Sequence, residues 1–216
     1  AMNAKDHQTA IKYFEKCAEM NYQGVNTYFQ ISQNYLEMGD TIKAESILKD
    51  LRSKFADNKN VILELIDLYI KAGKNEEAIE NLIIARNDDP DNYSLHFAEG
   101  IIYLNEDRYD EAITSLSRSV ELNSEFYDSQ YGLGASYINK ASDMFAKAND
   151  IMDVNDYNKA VDDAMAVFAK ALPYMEKANE LKPDDVYALR SLRELYYRLK
   201  MTEKYDAVKA KLDTLE

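Results

Sequence analysis

The sequence predicts an all-α protein built from stacked antiparallel helix pairs. Only six glycines and three prolines interrupt its 216 residues, and Ala, Leu, Lys, Glu, Asp and Asn make up most of the rest, so long helices face few interruptions. Four tyrosines recur every 34 residues, at Tyr35, Tyr69, Tyr103 and Tyr137. A period of this length is typical of solenoids, in which each helix pair buries one face against the next pair.

Three further columns of residues keep the same period. They are Ala44, Ala78 and Ala112; Leu48, Leu82 and Leu116; and Gly39 with Gly73. A small alanine side chain lets two crossing helices approach, and the aromatic ring fills the adjoining gap. The glycines fall between two helical segments and predict the turn within each pair.

The register breaks in the second half of the chain and then returns. Tyr137 and Tyr196 are 59 residues apart, as are Ala112 and Ala171, and this spacing exceeds one repeat by 25 residues. A single insertion of about 25 residues inside the fifth unit therefore restores the pattern through to the C-terminus.

The insertion predicts an extended helical hairpin. Its apolar residues keep helical spacing on both sides of a turn at 153–156. Divided equally, it adds about 12 residues, or roughly 18 Å, to each helix. Pro173 lies in the returning helix and is expected to bend it or interrupt its hydrogen bonds. The hairpin is either a stiffening element, which its internal apolar pairing favours, or a second contact surface.

Together these columns resemble the tetratricopeptide repeat, a helix-turn-helix unit of 34 residues with small and aromatic residues at set positions. The resemblance implies a right-handed α-α superhelix of antiparallel helix pairs. It places a second helix of a truncated repeat at 1–24, repeats at 25–58, 59–92 and 93–126, the repeat with the insertion at 127–185, and an atypical C-terminal repeat or cap at 186–216.

Because the chain starts halfway through a repeat, we expect the native protein to continue upstream. The missing helix is expected to leave Ile11 and Phe14 exposed, so that two chains pair as a homodimer through the N-terminal helix. The tract 131–141, the long insertion and the tract 170–178 also resemble repeat proteins of Bacteroidetes. That resemblance implies a periplasmic or cell-envelope location.

The family resemblance further implies that the first helix of each repeat lines a concave groove that binds a protein or peptide. The matching positions hold Asn26, Phe29, Gln30, Gln33, Asn60, Glu64, Asp67, Phe97, Ile101, Asn105, Tyr131, Asn139, Arg190, Glu194, Tyr197 and Arg198. Aromatic rings supply contact area, carboxamides pair with backbone groups, and Arg190 and Arg198 suit a carboxylate of the partner. For each residue, packing between repeats or a solvated surface is the alternative.

Charge and composition disfavour other classes of binding. The formal charge of −13 opposes nucleic-acid binding, which needs a basic surface. No apolar run is long enough to cross a bilayer. The absence of Trp argues against glycan binding. A structural or self-assembly role in an envelope complex remains the main alternative to recognition of a peptide.

The sequence also predicts that this segment is not an enzyme. His7 and His96 fall in separate repeats, and no nucleophile, acid-base pair or set of metal ligands converges, so no catalytic residue, cofactor or metal site is expected. The lone Cys17 fits core packing. Gly132 and Gly134 lack the third glycine of a dinucleotide-binding loop and are expected to permit close helix approach.

Overall fold

The computed structural model describes residues 4–20, 24–55 and 58–215, and within these ranges it contains eleven α-helices and no strand. This confirms the all-α prediction. The helices are α1 (Ala4–Glu19), α2 (Val25–Glu37), α3 (Thr41–Lys54), α4 (Lys59–Lys71), α5 (Asn75–Asp88), α6 (Tyr93–Asn105), α7 (Tyr109–Leu122), α8 (Tyr127–Ala148), α9 (Val154–Leu181), α10 (Val186–Arg198) and α11 (Thr202–Leu215).

The helices form two compact units, Ala1–Pro90 and Asp91–Glu216. In the first unit, each of α1 to α4 packs against the helix that follows it. In the second unit the same order runs from α6 to α11, and α6 also touches α8. Within each unit the chain is therefore a series of stacked helices, as a helical repeat requires.

The small and aliphatic columns of the sequence are buried. Ala44, Ala78 and Ala112 are 0% exposed, and Leu48, Leu82 and Leu116 are at most 1% exposed. A fully buried alanine at a helix crossing leaves no room for a larger side chain. The repeated residue types are thus those that the packing demands.

Each regular pair closes through the same left-handed turn. The turn residue has positive φ at Gly39 (79°), Gly73 (68°), Asp107 (59°) and Lys200 (58°). The next residue donates its backbone N–H to the carbonyl of the column tyrosine: Asp40 to Tyr35 at 2.9 Å, Lys74 to Tyr69 at 2.8 Å, Arg108 to Tyr103 at 2.9 Å and Met201 to Tyr196 at 2.8 Å. This bond caps the end of the first helix.

The extended hairpin consists of α8 and α9, with 22 and 28 residues, against 13 and 14 in the preceding pair. Nine of the extra residues therefore lie in α8 and fourteen in α9, so the predicted equal division is wrong. The turn occupies 149–153 instead of 153–156. The Asp153 carboxylate accepts the N–H groups of Asn155 and Asp156 at 2.9 and 3.0 Å, which starts α9 earlier than expected.

Two features of the hairpin follow from single residues. The α9 helix continues through Pro173, where the proline lacks the N–H of one helical hydrogen bond. A Cβ on Gly134 would lie 2.8 Å from Cγ of Met175, and one on Gly132 would lie 3.3 Å from Cδ1 of Ile101. The prediction of close helix approach at these glycines is confirmed.

The expectation of an open apolar surface on α1 is wrong for Ile11. That residue is only 5% exposed, because α1 packs against α2. Phe14 is half-buried. The exposed large apolar side chains of this region are Tyr13 on α1, at 65%, and Met20 just after α1, at 80%.

Candidate partner-binding surface

The helix α10 has one open side. Tyr187 and Tyr197 are 68% and 72% exposed, and Arg190 and Glu194 lie between them on the same side and are also exposed. The opposite side is buried, at Ala188, Leu189, Leu192, Leu195 and Tyr196. Large exposed aromatic side chains beside an arginine are typical of protein-binding surfaces.

Arg198 belongs to the interior of the second unit as much as to its surface. Its Nε and Nη2 donate to Oε1 of Glu194 at 2.9 and 2.7 Å. The guanidinium carbon lies 4.5 Å from the ring centroid of the fully buried Phe168 and 5.8 Å from that of Phe145. These contacts tie the end of α10 to the extended hairpin.

The apolar residues predicted on α6 and α8 are half-buried by packing. Phe97 makes an edge contact with Phe126 at 5.2 Å between ring centroids, and Tyr131 stacks on Tyr127 at 6.0 Å. Ile101 packs against the buried core at the crossing of α7 and α8. The two predicted carboxamides of these helices, Asn105 and Asn139, are exposed.

In the first unit, α2 presents mainly carboxamides. Asn26 and Gln30 are exposed, while Phe29 is half-buried. Gln33 donates from Nε2 to Oε1 of Glu37 at 3.2 Å. The predicted polar positions of α2 thus lie at the surface, and its predicted ring is only partly available.

The helix α4 adds an acidic pair. Asn60 is exposed, and Asp67 pairs with Lys71 at 2.6 Å. Burial, together with the nearby negative charge of Asp67, raises the pKa of Glu64.

Sequence reasoning missed two apolar residues on the side of α4 that carries Asn60, Glu64 and Asp67. Leu63 and Ile70 are 44% and 42% exposed. They are the fifth and twelfth residues of the repeat that begins at residue 59, and these positions match Arg190 and Tyr197 in the repeat that begins at residue 186. Their position in the repeat was the available signal, but an apolar residue on a helix is more often assigned to the core.

The first helices carry none of the net negative charge of the protein. The helices α2, α4, α6, α8 and α10 contain seven acidic and seven basic residues in all. The net charge of −13 therefore resides in the second helices and the connecting segments. The helix set that carries the candidate surface is neutral as a whole.

Within the described ranges, no group of three or more His, Cys, Asp and Glu side chains is placed to hold a metal ion. His7 instead shares a 2.9 Å hydrogen bond with Oδ1 of Asn34, and His96 is buried. Across the same residues, no helix combines the length and apolar character that a bilayer span requires.

The stacked pairs, capped turns and buried columns define a helical repeat protein. Two sequence models, both described as tetratricopeptide repeat, match residues 35–98 in one case and residues 1–23 and 93–126 in the other. The chain is a tetratricopeptide-repeat protein, and the family resemblance of its sequence is confirmed. Such repeats are typical of scaffolds for protein-protein interaction.

Solved structures share the fold. A MamA RS-1 ArsTM double mutant has a TM-score of 0.69 at 16% identity, covering 88% of this chain and 93% of its own. MamA 41-end from Desulfovibrio magneticus RS-1 has a TM-score of 0.65 at 16% identity, covering 88% and 92%. A further MamA crystal structure has a TM-score of 0.66 at 22% identity, covering 87% and 88%. No curated protein matches the chain in sequence.

Proposed function

We propose that this chain is a non-catalytic scaffold that binds a protein or peptide segment on the exposed side of its first helices. The observation that carries the proposal is the open side of α10, where two tyrosines are about 70% exposed beside an arginine and a glutamate. Leaving large rings in water has no benefit for folding, whereas covering them on binding supplies much of the affinity of an interface.

The chemistry of the surface restricts the partner. The first helices are neutral overall. Their exposed side chains include five carboxamides, three acidic and three basic groups, Leu63 and Ile70 on α4, and the two tyrosines on α10. A segment with apolar anchors and free backbone polar groups suits this mixture better than a strongly charged one. Arg190 provides the place for a single acidic group of the partner.

A cell-envelope location is part of the proposal. It rests on the resemblance of the hairpin region to repeat proteins of Bacteroidetes. Fractionation of the native cells with an antibody to the chain tests this location independently of binding, and recovery in the cytoplasmic fraction alone would contradict it.

The binding test uses photo-crosslinking residues placed singly in the full-length chain. Positions Tyr187, Ile70 and Asn139 probe the first helices, and Ile42, which is 78% exposed on the second helix α3, is the matched control. After exposure to native-cell extract, we expect crosslinks to one protein from the first-helix positions and none from the control.

The captured protein is then purified and titrated against the chain by calorimetry. Tyr187→Ala combined with Tyr197→Ala should weaken binding about 10- to 100-fold, because each ring acts as an anchor. Ile42→Ala should leave the affinity unchanged. Crosslinks confined to second helices, or equal affinity for the tyrosine variant, would exclude the proposed surface.

A further inference from the structure

The outer end of the α8–α9 hairpin carries an apolar cluster that the described residues of its own chain leave exposed. Met152 is 99% exposed, Val154 69% and Ile151 37%. Apolar side chains in the short turns of regular pairs behave differently, since Met38 and Met201 are partly buried. A turn that only connects two helices is normally polar, so this cluster requires another explanation.

The turn that presents this cluster is ordered by its own hydrogen bonds. The N–H groups of Asn149, Asp150 and Ile151 donate to carbonyls near the end of α8 at 2.9 to 3.2 Å. The Asp153 carboxylate caps α9. The apolar residues are therefore held in a fixed arrangement, which lowers the entropy cost of binding.

Acidic residues surround the exposed cluster. The outer part of the hairpin, residues 143–163, contains six aspartates and two lysines. One of these lysines, Lys147, pairs with Asp143 at 2.7 Å. The outer hairpin is thus an apolar contact within a negatively charged surface.

A complementary site lies on the last helix pair of the same unit. A cavity of about 350 Å³ opens between α10 and α11. Its lining consists of Tyr196, Tyr197, Lys200, Thr202, Tyr205 and Asp206. Residues 186–215 contain seven basic and four acidic side chains, so this pair is net positive in a chain of charge −13. Tyrosine rings are favourable neighbours for a methionine sulfur.

Both sites lie in the second unit, so each copy carries one exposed cluster and one cavity. Arg198, next to the cavity residue Tyr197, lies over Phe145, which is three residues before the end of α8. Met152 follows in the turn at 149–153. A twofold arrangement that places the cluster of each copy in the cavity of the other makes the same contact twice.

We propose that a second copy of this chain covers the hairpin end. The side chains of Met152 and its neighbours enter the tyrosine-lined cavity of the other copy, and Asp150 faces Lys200. Because the contact is made twice about a twofold axis, it closes as a dimer and does not extend into a filament. The opposite local charges offset the repulsion between two chains that are each strongly acidic.

Sedimentation equilibrium of the purified full-length chain tests this proposal. We expect a concentration-dependent dimer. Met152→Asp should weaken it at least about 100-fold, because the loss of apolar burial occurs at both contacts. The matched control Ile42→Asp changes an equally apolar exposed residue on α3 and should leave the dimer constant unaltered.

A charge exchange makes the test specific to the paired sites. Asp150→Lys and Lys200→Glu should each weaken the dimer about 10-fold, and the variant carrying both changes should recover most of the loss. In a Cys17→Ser background, Met152→Cys with Thr202→Cys should form a disulfide between chains on oxidation, whereas Ile42→Cys with Thr202→Cys should not.

Several outcomes would overturn the proposal. One is a chain that stays monomeric at millimolar concentration. Another is a dimer that tolerates Met152→Asp but dissociates with Tyr13→Asp on α1 and Met20→Asp just after it, which would assign the contact to the N-terminal helix. Failure of the charge exchange to recover the dimer would also reject the pairing. Tyr197 belongs to both the cavity and the partner-binding surface, so Met152→Asp, which leaves Tyr187 and Tyr197 unchanged, separates the two proposals. That variant should weaken the dimer and leave the affinity for the captured partner unaltered.

Discussion

The column tyrosines of the regular repeats and of the extended repeat are supported by different partners. A cation lies over each ring of the regular repeats: Lys43 over Tyr35 at 5.1 Å, Lys74 over Tyr69 at 5.8 Å, Arg108 over Tyr103 at 4.4 Å and Lys204 over Tyr196 at 5.4 Å. In the extended repeat, Tyr137 instead stacks on Tyr174 at 5.8 Å with the ring planes 9° apart.

The position of the turn explains this difference. In a regular repeat the cation follows the tyrosine by five to eight residues, within or just after the turn between the helices. The insertion moves the turn to 149–153, too far along the helix to reach Tyr137. The ring therefore takes its partner from the returning helix, 37 residues later in the chain. A local contact has been replaced by a tertiary one.

The largest expected effect concerns the hairpin core that replaces the local contact. Phe168 is fully buried between α8, α9 and α10, so Phe168→Ala should lower the free energy of unfolding by about 3–5 kcal/mol. Guanidinium denaturation followed by circular dichroism measures the change. Tyr157→Ala, at a half-buried position nearer the turn, is the control and should cost much less. A loss below about 1 kcal/mol in Phe168→Ala would contradict the tertiary origin of hairpin stability.

A smaller effect separates the two kinds of tyrosine contact. Tyr174→Leu keeps an apolar side chain but removes the ring stack, and should cost about 0.5–1.5 kcal/mol. Lys43→Met removes an exposed cation from Tyr35 and should cost less than the ring stack, because water screens the attraction between an exposed cation and a ring. Denaturation curves of the two variants, measured side by side, test the order. A larger loss in Lys43→Met would reverse the comparison.

The smallest expected effect is a loss of stability at low pH, which should arise at the cation contact and not at the ring stack. Tyr69 and Lys74 are joined by Glu45, which accepts the tyrosine hydroxyl at 3.2 Å and Lys74 at 2.5 Å. Burial raises the pKa of Glu45, but its hydrogen bonds and ion pairs with Lys49 and Lys74 outweigh burial and lower the pKa to about 2.

Because this pKa is below its ordinary value, the stabilisation is complete above about pH 4.5 and disappears as the pH falls toward 2. Between pH 5 and about pH 2, the free energy of unfolding should therefore fall less in Glu45→Gln than in the unaltered chain, by about 1 kcal/mol or less. Urea denaturation at several pH values provides the measurement, with Tyr174→Leu as a variant whose acid dependence should match that of the unaltered chain. If stability falls equally with pH in Glu45→Gln and in the unaltered chain, Glu45 is not the source of the acid dependence.

Periodic features of the fold were predictable because each repeat imposes the same packing on the same position. The alanine and leucine columns follow from helix crossings, and the insertion follows from the return of Tyr196 and Ala171 in register. The division of the insertion was not predictable. Asp150, Asp153 and Asp156 are all suitable helix caps, and only the hydrogen bonds of Asp153 distinguish them.

The candidate surface was predictable in position but not in exposure. Matching positions in the repeat led to α10, where Tyr197 is open. The same rule selected Phe97 and Tyr131, which neighbouring rings partly cover. The rule also covers Leu63, which was left out because an apolar residue on a helix is more often assigned to the core. Its exposure depends on which side chains the adjacent helices bring near, and a single helix does not contain that information.

The insertion between α8 and α9 makes reach an independently adjustable property of this protein. Residues added at the turn lengthen the projecting arm by about 1.5 Å each, while the buried alanines and leucines at the base keep their neighbours. Selection can thus change how far the arm extends, and which molecules it meets, without altering the stack that supports it. The length of the α8–α9 hairpin can therefore change independently of the helix stack at its base.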